Sequence, residues 1–394
     1  MAGEWGIKRL RDCCVGKAEY GANASAVEYN KSLPRYIRIT DIDDDGFLIE
    51  DEKVSVTLEG NEKYLLEEND FLFARTGATV GKTYLFQETD GPAIYAGYLI
   101  RFKIDTHTIL PEYLKHYTHT GKYWYWVENT IHAGAQPNIN AKEYSTMPIP
   151  VPPMPEQHKI TDILSTWDEA IALVKRRIQA AQQRKKGLMQ QLLTGRVRFL
   201  EFEGETWQEA RLDDFFREFT TRNKAQEDLT VLSCSTIYGI VPQTKLFNRR
   251  IASDNTERYK VVQRGDLIYD PMLLWDTSIG FLETIDKGIV SPAYTTFKFK
   301  HKNGEREFFK YFIRTHYLRE HYKFISQGTN ARRRKAPAEA FLNLKIMVPS
   351  TKAEQRRIAN VLQTCDREIN LLEQKRDALQ RQKKGLMQRL LTGR

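Results

Sequence analysis

Cysteine is scarce in this chain, which contains four cysteines among 394 residues. Cys13, Cys14, Cys234 and Cys365 form neither a Cys-x-x-Cys pair nor the ligand spacing of a zinc site. The sequence also shows no signal peptide and no apolar run long enough to span a bilayer. These absences argue against a disulfide-stabilised secreted protein and against a membrane protein. We therefore expect a reduced protein of the cytoplasm.

Recognisable catalytic motifs are lacking as well. Gly77–Thr83 approaches the phosphate-binding P-loop, but three residues separate its glycines where a P-loop has four, and Tyr84–Phe86 resembles a strand rather than a helix. We interpret this stretch as an exposed turn between two strands that contacts a polyanion. Asp270–Met272 matches only part of the Asp-Pro-Pro-aromatic signature of amino-methyltransferases. The sequence therefore predicts a chain that is not an enzyme and that itself binds no cofactor and no metal.

What the chain does contain is a long stretch that occurs twice. Glu156–Arg196 includes KKGLMQQLLTGR, and Glu354–Arg394 includes KKGLMQRLLTGR. The two copies align without a gap, and about half of their paired positions are identical. A fixed internal period of this kind indicates duplication. The Gly-Leu-Met that both copies share argues against a similarity that arises from helical composition alone.

Each copy carries the heptad pattern of a coiled coil, because its apolar residues recur at steps of four and three. These seam positions are Ile160, Leu164, Trp167, Ile171, Val174, Ile178, Ala181, Leu188 and Leu192 in the first copy, and Ile358, Leu362, Cys365, Ile369, Leu372, Leu379, Leu386 and Leu390 in the second. Three cations interrupt the seam, Lys185, Arg376 and Lys383, and such residues can fix register. Because a lone amphipathic helix cannot bury its apolar stripe, we predict that the two helices pack as an antiparallel coiled coil.

The remainder of the chain consists of two stretches of similar length, residues 1–155 and 197–353, with the same order of elements. Each contains a tryptophan-led segment, an acidic turn into an apolar run, an aromatic helical stretch, a polar loop and a short extended exit. The acidic turns are Asn69–Phe73 and Gly265–Tyr269. The predicted fold class is therefore α+β, with two similar mixed α/β units, two long helices and a pseudo-twofold plan that arises from internal duplication.

The net charge of +9 is concentrated in the repeated helices. The first copy carries eight Lys/Arg against four Asp/Glu, and the second carries ten against five, so the repeats account for the whole excess. A basic excess is compatible with a polyanionic partner, although a basic helix face can also be simply solvated.

Two polar loops have the chemistry of nucleic-acid contacts. Gln136, Asn138 and Asn140 follow the first aromatic stretch, and amides pair bidentately with adenine. The corresponding loop of the second unit, Asn330–Lys335, contains four consecutive cations, and arginine is the commonest reader of guanine. The predicted DNA-contacting residues are Arg75, Thr76, Thr79, Lys82, Thr83, Gln136, Asn138, Asn140, Thr329, Asn330, Arg332, Arg333, Arg334 and Lys335.

These features together resemble the specificity (S) subunit of type I restriction-modification systems, over the whole chain. The resemblance is carried by Pro155–Gln157 before a long helix, by KKGLMQQLLTGR at its end, by the repetition of this helix and its tail, and by the Arg-x-Gly-x-Thr-x-Gly-Lys turn at Arg75–Lys82. The second unit departs from the first, because Ser278–Phe281 stands where the Gly-Lys turn would be. The two halves are therefore expected to read different sequences.

The resemblance implies two target recognition domains, residues 1–155 and 197–353, each reading half of a bipartite, asymmetric site in double-stranded DNA. Residues 156–196 and 354–394 would be conserved spacer helices that set the distance between half-sites and dock two methyltransferase (M) subunits. Methylation of adenine N6 would use S-adenosylmethionine bound by those partners, and ATP-dependent restriction would belong to restriction (R) subunits.

Two other hypotheses stay open from the residues alone. The chain could be a coiled-coil adaptor that binds protein partners through two globular ends. It could also be a nucleotide-dependent enzyme that uses Gly77–Thr83, although the missing residue and the missing helix oppose this.

Overall fold

The computed structural model describes residues 5–57, 59–131, 137–247, 253, 255–328 and 335–392. The chain divides into two compact units. Unit 1 comprises Met1–Arg176 and Glu373–Arg394, and unit 2 comprises Arg177–Leu372. Each unit therefore contains a segment of both repeated helices. No helix in the described ranges is long and apolar enough to cross a membrane.

Unit 1 is built from short strands and helices that precede the first long helix. Its strands are β1 Gly6–Arg9, β2 Glu19–Tyr20, β3 Val27–Glu28, β4 Arg35–Ile37, β5 Val54–Ser55, β6 Asp70–Ala74, β7 Thr83–Leu85, β8 Ala93–Tyr95, β9 Leu99–Lys103 and β10 Pro148–Val151. Its helices are α1 Pro111–Tyr117, α2 Gly121–Thr130, α3 Ala141–Ser145 and the first part of α4 Met154–Leu192.

Three sheets organise these strands. The order β2-β9-β6-β7 forms an antiparallel sheet whose central strand β6 is buried along its whole length. A second sheet has the order β3-β5-β4-β8, with β4 and β8 parallel. The ribbon β1-β10 brings the start of the unit beside its exit strand. The core between the first sheet and the helices is rich in aromatic side chains, such as Phe73, Phe102 and Tyr144.

Unit 2 repeats this plan. Its strands are β11 Trp207–Arg211, β12 Phe216–Glu218, β13 Val231–Ser235, β14 Gly239–Pro242, β15 Lys260–Gln263, β16 Leu267–Tyr269, β17 Ile279–Phe281, β18 Lys287–Val290, β19 Thr295–Phe299 and β20 Lys345–Pro349. Its helices are α5 Leu212–Phe215, α6 Arg306–Phe312, α7 His316–Ile325, α8 Ala338–Leu342 and the first part of α9 Lys352–Leu390.

The two units share the topology of their first sheet and of their ribbon, and part of that of their second sheet. The order β12-β19-β16-β17 matches the first sheet of unit 1, β13 and β18 pair in parallel as β4 and β8 do, and β11-β20 repeats the ribbon. The acidic turns also match, because the carboxylate of Asp70 accepts the backbone N–H of Glu67 at 3.0 Å, and Asp266 accepts that of Gln263 at 2.8 Å. These correspondences confirm the predicted duplication.

A buried glutamine near the start of each long helix explains part of the repeated motif. The side-chain oxygen of Gln157 accepts the backbone N–H of Leu110 at 2.8 Å, and its amide nitrogen donates to the carbonyl of Pro152 at 2.9 Å. Gln355 makes the corresponding two bonds in unit 2, at 2.9 and 3.1 Å. Each glutamine therefore fixes the direction in which the helix leaves its globular part.

The long helices pair antiparallel inside each unit, as predicted. In unit 1, Ile160 and Leu164 near the start of α4 share a core with Met387 and Leu391 near the end of α9. In unit 2, the end of α4 and the start of α9 share a core in the same way, through Leu192, Leu193, Ile358 and Leu362.

The seam differs from the heptad prediction at the C-terminal end of α9. Leu386 and Leu390 are only partly buried, whereas their neighbours Met387 and Leu391 are 6% and 0% exposed. A straight α-helix drifts by about 20° per heptad against a strict seven-residue repeat. Over the roughly five heptads of this helix, the drift approaches the ~100° that separates consecutive residues, so the buried face moves on by one position.

Two of the cations on the seam have acidic partners on the opposite helix. In unit 1 the ammonium of Lys383 lies 2.5 Å from Asp168, and in unit 2 that of Lys185 lies 2.5 Å from Asp366. Arg376 instead pairs with its neighbour Asp377. Asp168 and Asp366 are equivalent positions of the repeat, and so are Lys185 and Lys383. Each unit therefore holds one complete Lys–Asp pair.

We predict that this pair contributes to helix pairing in unit 1. Asp168→Lys and Lys383→Asp should each lower the free energy of unfolding by about 1–3 kcal/mol, because each leaves a partly buried charge without a partner. The double variant, which restores opposite charges, should recover most of the loss. The measurement is urea denaturation followed by helical circular dichroism.

The exposed pair Arg264–Asp286 offers a matched control, since reversing either of its charges should change stability by less than about 1 kcal/mol. If the double variant is only as stable as the sum of the two single changes predicts, Asp168 and Lys383 do not act together.

Candidate nucleic-acid interface

The turn between β6 and β7 contains the first group of predicted site residues. The two strands pair antiparallel, with Phe73 opposite Thr83, and a single 3-10 turn at Gly77–Thr79 connects them. The backbone N–H of Ala74 donates to the carbonyl of Lys82 at 2.9 Å and closes the hairpin. A strand rather than a helix follows the turn, so the interpretation as a turn between two strands is confirmed.

Buried tyrosines of α2 and α3 support the turn through hydrogen bonds. The hydroxyl of Tyr123 donates to the carbonyl of Gly81 at 2.6 Å, and that of Tyr144 donates to the carbonyl of Ala74 at 2.8 Å. Burial raises the pKa of Tyr123 and of Tyr144, so both hydroxyls keep the proton that they donate. The hairpin tip therefore rests on a fixed support.

Glycine is required at position 81 for two reasons. Its φ is +90°, and a Cβ there would lie 2.8 Å from the ring of Trp124 and 2.9 Å from Val127. The second glycine of the Gly-x-x-x-Gly-Lys turn therefore serves close packing against α2 rather than phosphate binding.

The second predicted loop of unit 1 lies directly beside this turn. Thr76 and Asn138 form an antiparallel bridge, the backbone N–H of Ile139 donates to the carbonyl of Arg75 at 2.9 Å, and that of Gly77 donates to Pro137 at 3.0 Å. The structure thus brings together residues that are far apart in the sequence. Gln136 lies outside the described residues.

Arg75 and Asn138 both have unused hydrogen-bonding capacity. The Nε of Arg75 and the Oδ1 of Asn138 are buried and have no hydrogen-bond partner among the described residues. The guanidinium of Arg75 lies 4.9 Å from the ring centroid of Tyr20, whose side chain is 42% exposed. Sequence reasoning missed Tyr20, because nothing in the short strand β2 marks it.

Asn140 has a structural role that the sequence interpretation overlooked. Its side-chain oxygen accepts the backbone N–H of Glu143 at 3.0 Å, and the carboxylate of Glu143 accepts the backbone N–H of Asn140 at 2.8 Å. This is a capping box at the start of α3. The Asn-x-x-Glu spacing was visible in the sequence, and bidentate pairing of Asn140 with adenine would disrupt this cap.

Lys82 and Thr83 are less available than the turn prediction assumed. The ammonium of Lys82 lies 2.8 Å from the exposed carboxylate of Asp44 and donates to the carbonyl of Ile42 at 3.2 Å. The hydrogen bond that Asp44 accepts from Lys82 lowers the pKa of Asp44. Thr83 is 3% exposed, and its hydroxyl is paired with that of Thr118 at 2.8 Å. Thr83 therefore offers no surface to DNA in this conformation.

Unit 2 builds its loop pair on the same backbone frame. The N–H of Ala336 donates to the carbonyl of Pro271 at 3.0 Å, which is the counterpart of the bond between Ile139 and Arg75 in unit 1. Lys335 is exposed at this point. The other predicted residues of this loop, Thr329, Asn330, Arg332, Arg333 and Arg334, lie outside the described residues.

A cavity of about 430 Å³ in unit 1 adjoins the paired helices, and several of its charges are already partnered. Asp168 pairs with Lys383, and Asp45 pairs with Lys175 at 2.9 Å. Burial lowers the pKa of His116 well below its usual value and keeps this side chain neutral. Across the described ranges, no group of three or more His, Cys, Asp or Glu is placed to hold a metal ion.

Comparison with known proteins agrees with this architecture. The chain is 24% identical over 358 residues to the type I restriction enzyme MjaVIII specificity subunit of Methanocaldococcus jannaschii. This match covers 85% of this chain and 81% of that protein. The crystal structure of the S subunit of a type I restriction-modification system from M. genitalium superposes with a TM-score of 0.59 at 13% identity, covering 98% of this chain and 96% of the other.

A second solved structure, described as the basis of complex assembly and conformational transition of the type I R-M system, has a TM-score of 0.57 at 16% identity and covers 99% of this chain and 98% of that chain. The family model described as the type I restriction modification DNA specificity domain matches residues 3–183 and again residues 204–381. The chain therefore belongs to the family of type I restriction modification DNA specificity domains, of which it carries two copies.

Proposed function

We propose that this chain is the DNA-reading subunit of a type I restriction-modification complex, and that each unit reads one half of a bipartite site. The observation that carries the proposal is the duplicated loop pair. The same backbone bond joins two loops in both units, at 2.9 and 3.0 Å, while the side chains that it positions differ. A fixed frame with variable side chains is the arrangement that sequence-specific recognition requires.

The proposed division of labour follows the four segments of the sequence. Residues 1–155 and 197–353 act as target recognition domains, and residues 156–196 and 354–394 act as spacer helices that set the gap and dock two methyltransferase subunits. S-adenosylmethionine and ATP belong to the methyltransferase and restriction subunits. The complex works on host DNA and hence in the cytoplasm.

In unit 1, Arg75 and Asn138 are the proposed base readers. Both have a buried polar atom without a partner among the described residues, and such an atom costs about 1–3 kcal/mol until it is satisfied. Acceptor and donor atoms on base edges would satisfy both once the side chains turn toward the DNA. Thr76 and Thr79 flank them on the hairpin tip, and Lys82 would contact phosphate after releasing Asp44.

In unit 2, the proposed contacts are Lys335 and the preceding residues Thr329, Asn330, Arg332, Arg333 and Arg334. Cations supply phosphate contacts, and arginine also pairs bidentately with guanine. The two half-sites should therefore differ in base composition. Thr83 and Asn140 are left out of the interface, because their polar groups already serve the fold.

The direct test of the function is reconstituted methyl transfer. The purified chain with S-adenosylmethionine and DNA should transfer no methyl group. Addition of an adenine methyltransferase subunit should produce methylation at a defined sequence, measured as radiolabel incorporated into DNA. Methyl transfer by the isolated chain, or methylation without sequence preference in the complex, would contradict the proposal.

We predict that Asn138→Ala affects only the half-site read by unit 1. Binding should weaken by about 1–3 kcal/mol, and preference should relax at a single position of that half-site. Lys335→Ala should leave the base preferences in that half-site unchanged. If Lys335 touches phosphate, this substitution should reduce the salt slope of binding by about one. The measurement is affinity for a library of half-site variants at two salt concentrations.

Asn61→Ala provides a matched control in the same unit, because the amide of Asn61 donates to nearby backbone carbonyls and lies outside the loop pair. An Asn138→Ala protein whose affinity and preferences equal those of wild type would remove Asn138 from the interface. Equal effects on both half-sites would contradict separate reading by the two units.

A further inference from the structure

The strand registers and the matched backbone bonds align the hairpin tips of the two units residue by residue. Phe73 of β6 corresponds to Tyr269 of β16, since each is the residue of its central strand that pairs with both neighbouring strands at its C-terminal end. Arg75 corresponds to Pro271, because their carbonyls accept the equivalent bonds from the second loop. The next two residues of unit 2, Met272 and Leu273, therefore stand where unit 1 has Thr76 and Gly77.

Unit 2 thus presents apolar side chains at the point where unit 1 presents polar ones. Met272 is 53% exposed and Leu273 is 40% exposed. Isolated exposed apolar residues are common on protein surfaces and need no explanation by themselves. These two are consecutive and lie on the loop that is joined to the cationic loop through Ala336, so their place rather than their exposure is informative.

The backbone that carries Met272 and Leu273 is fixed. The side chain of Asp270 accepts the N–H of Met272 at 2.9 Å, and the carbonyl of Asp270 accepts the N–H of Leu273 at 3.1 Å. The indole N–H of Trp275 donates to the carbonyl of Met272 at 3.0 Å. Three hydrogen bonds therefore hold the backbone at this point, and both side chains are exposed to solvent.

The apolar feature that base edges present in the major groove is the C5 methyl group of thymine. We propose that Met272 and Leu273 form an apolar reader for thymine methyl groups in the half-site bound by unit 2. This inference rests on the proposed function. Lys335, exposed on the neighbouring loop, supplies a cation beside them, so the loop pair combines attraction to the backbone with a methyl-selective contact.

The test replaces each thymine of the second half-site by deoxyuridine, which keeps the base pair and removes only the methyl group. The full chain, assembled with its methyltransferase subunits, is titrated with these duplexes. At one or two positions, we expect wild-type affinity to fall about fourfold, which corresponds to the ~0.8 kcal/mol of one buried methyl-sized group. The double variant Met272→Ser/Leu273→Ser should bind the thymine site more weakly and be insensitive to deoxyuridine at those positions.

Met347→Ser is the matched control, because Met347 is likewise exposed, at 42%, but lies on β20 away from the loop pair. It should keep the wild-type response to deoxyuridine. Substitutions in the first half-site should affect wild type and the double variant equally. Thermal melting of the double variant should match wild type, since both side chains are exposed.

The outcomes separate this inference from the function on which it rests. Sequence-specific binding with no deoxyuridine effect in the second half-site, or a second half-site without thymine on either strand, overturns the inference alone. The same holds if the double variant weakens binding yet retains full sensitivity to deoxyuridine, as a wedge between base steps would. If the wild-type complex shows no sequence preference in the second half-site, the proposed function is wrong.

Discussion

Neither long helix can bury its apolar stripe alone, and this constraint organises the rest of the chain. Inside each unit, the stripe of one helix is covered by the other helix running in the opposite direction. Two of the three cations on the seam are tolerated because the opposite helix provides a carboxylate, Asp168 for Lys383 and Asp366 for Lys185. Since the duplication copied both members, each of these two pairs is made of one residue from each copy, and neither copy could form such a pair alone.

The duplication preserved the backbone frame of the loop pair and let its side chains change. A buried ring pair under the loops illustrates this. In unit 1, Phe73 packs on Tyr144, and the hydroxyl belongs to the helix; in unit 2, Tyr269 packs on Phe341, and the hydroxyl belongs to the strand. Either hydroxyl still donates to a backbone carbonyl of the loop pair, at 2.8 and 3.1 Å. The buried residues beneath the loops are therefore constrained by the need to support them. The side chains on the surface of the loops are constrained less.

Periodicity made the long helices predictable, because heptads and repeated ends are local signals. The last seam positions were wrong by one residue, since the drift of a straight helix accumulates beyond any single heptad. The site was harder to predict. Asn140 carried a readable capping pattern that its amide chemistry obscured, whereas the partners of Lys82 and Arg75, namely Asp44 and Tyr20, are set by tertiary packing and leave no local trace.

The central claim is that two similar units read two half-sites and that the paired helices set the gap. It is tested most directly by mapping adenine methylation in genomic DNA from cells with the wild-type chain and from cells with seven residues inserted after both Arg176 and Leu372. A heptad preserves the seam and adds roughly 10 Å at ~1.5 Å per residue. The account predicts a bipartite motif whose halves are unchanged and whose gap widens by about three base pairs, at ~3.4 Å each. A continuous motif, or an unchanged gap, would contradict it.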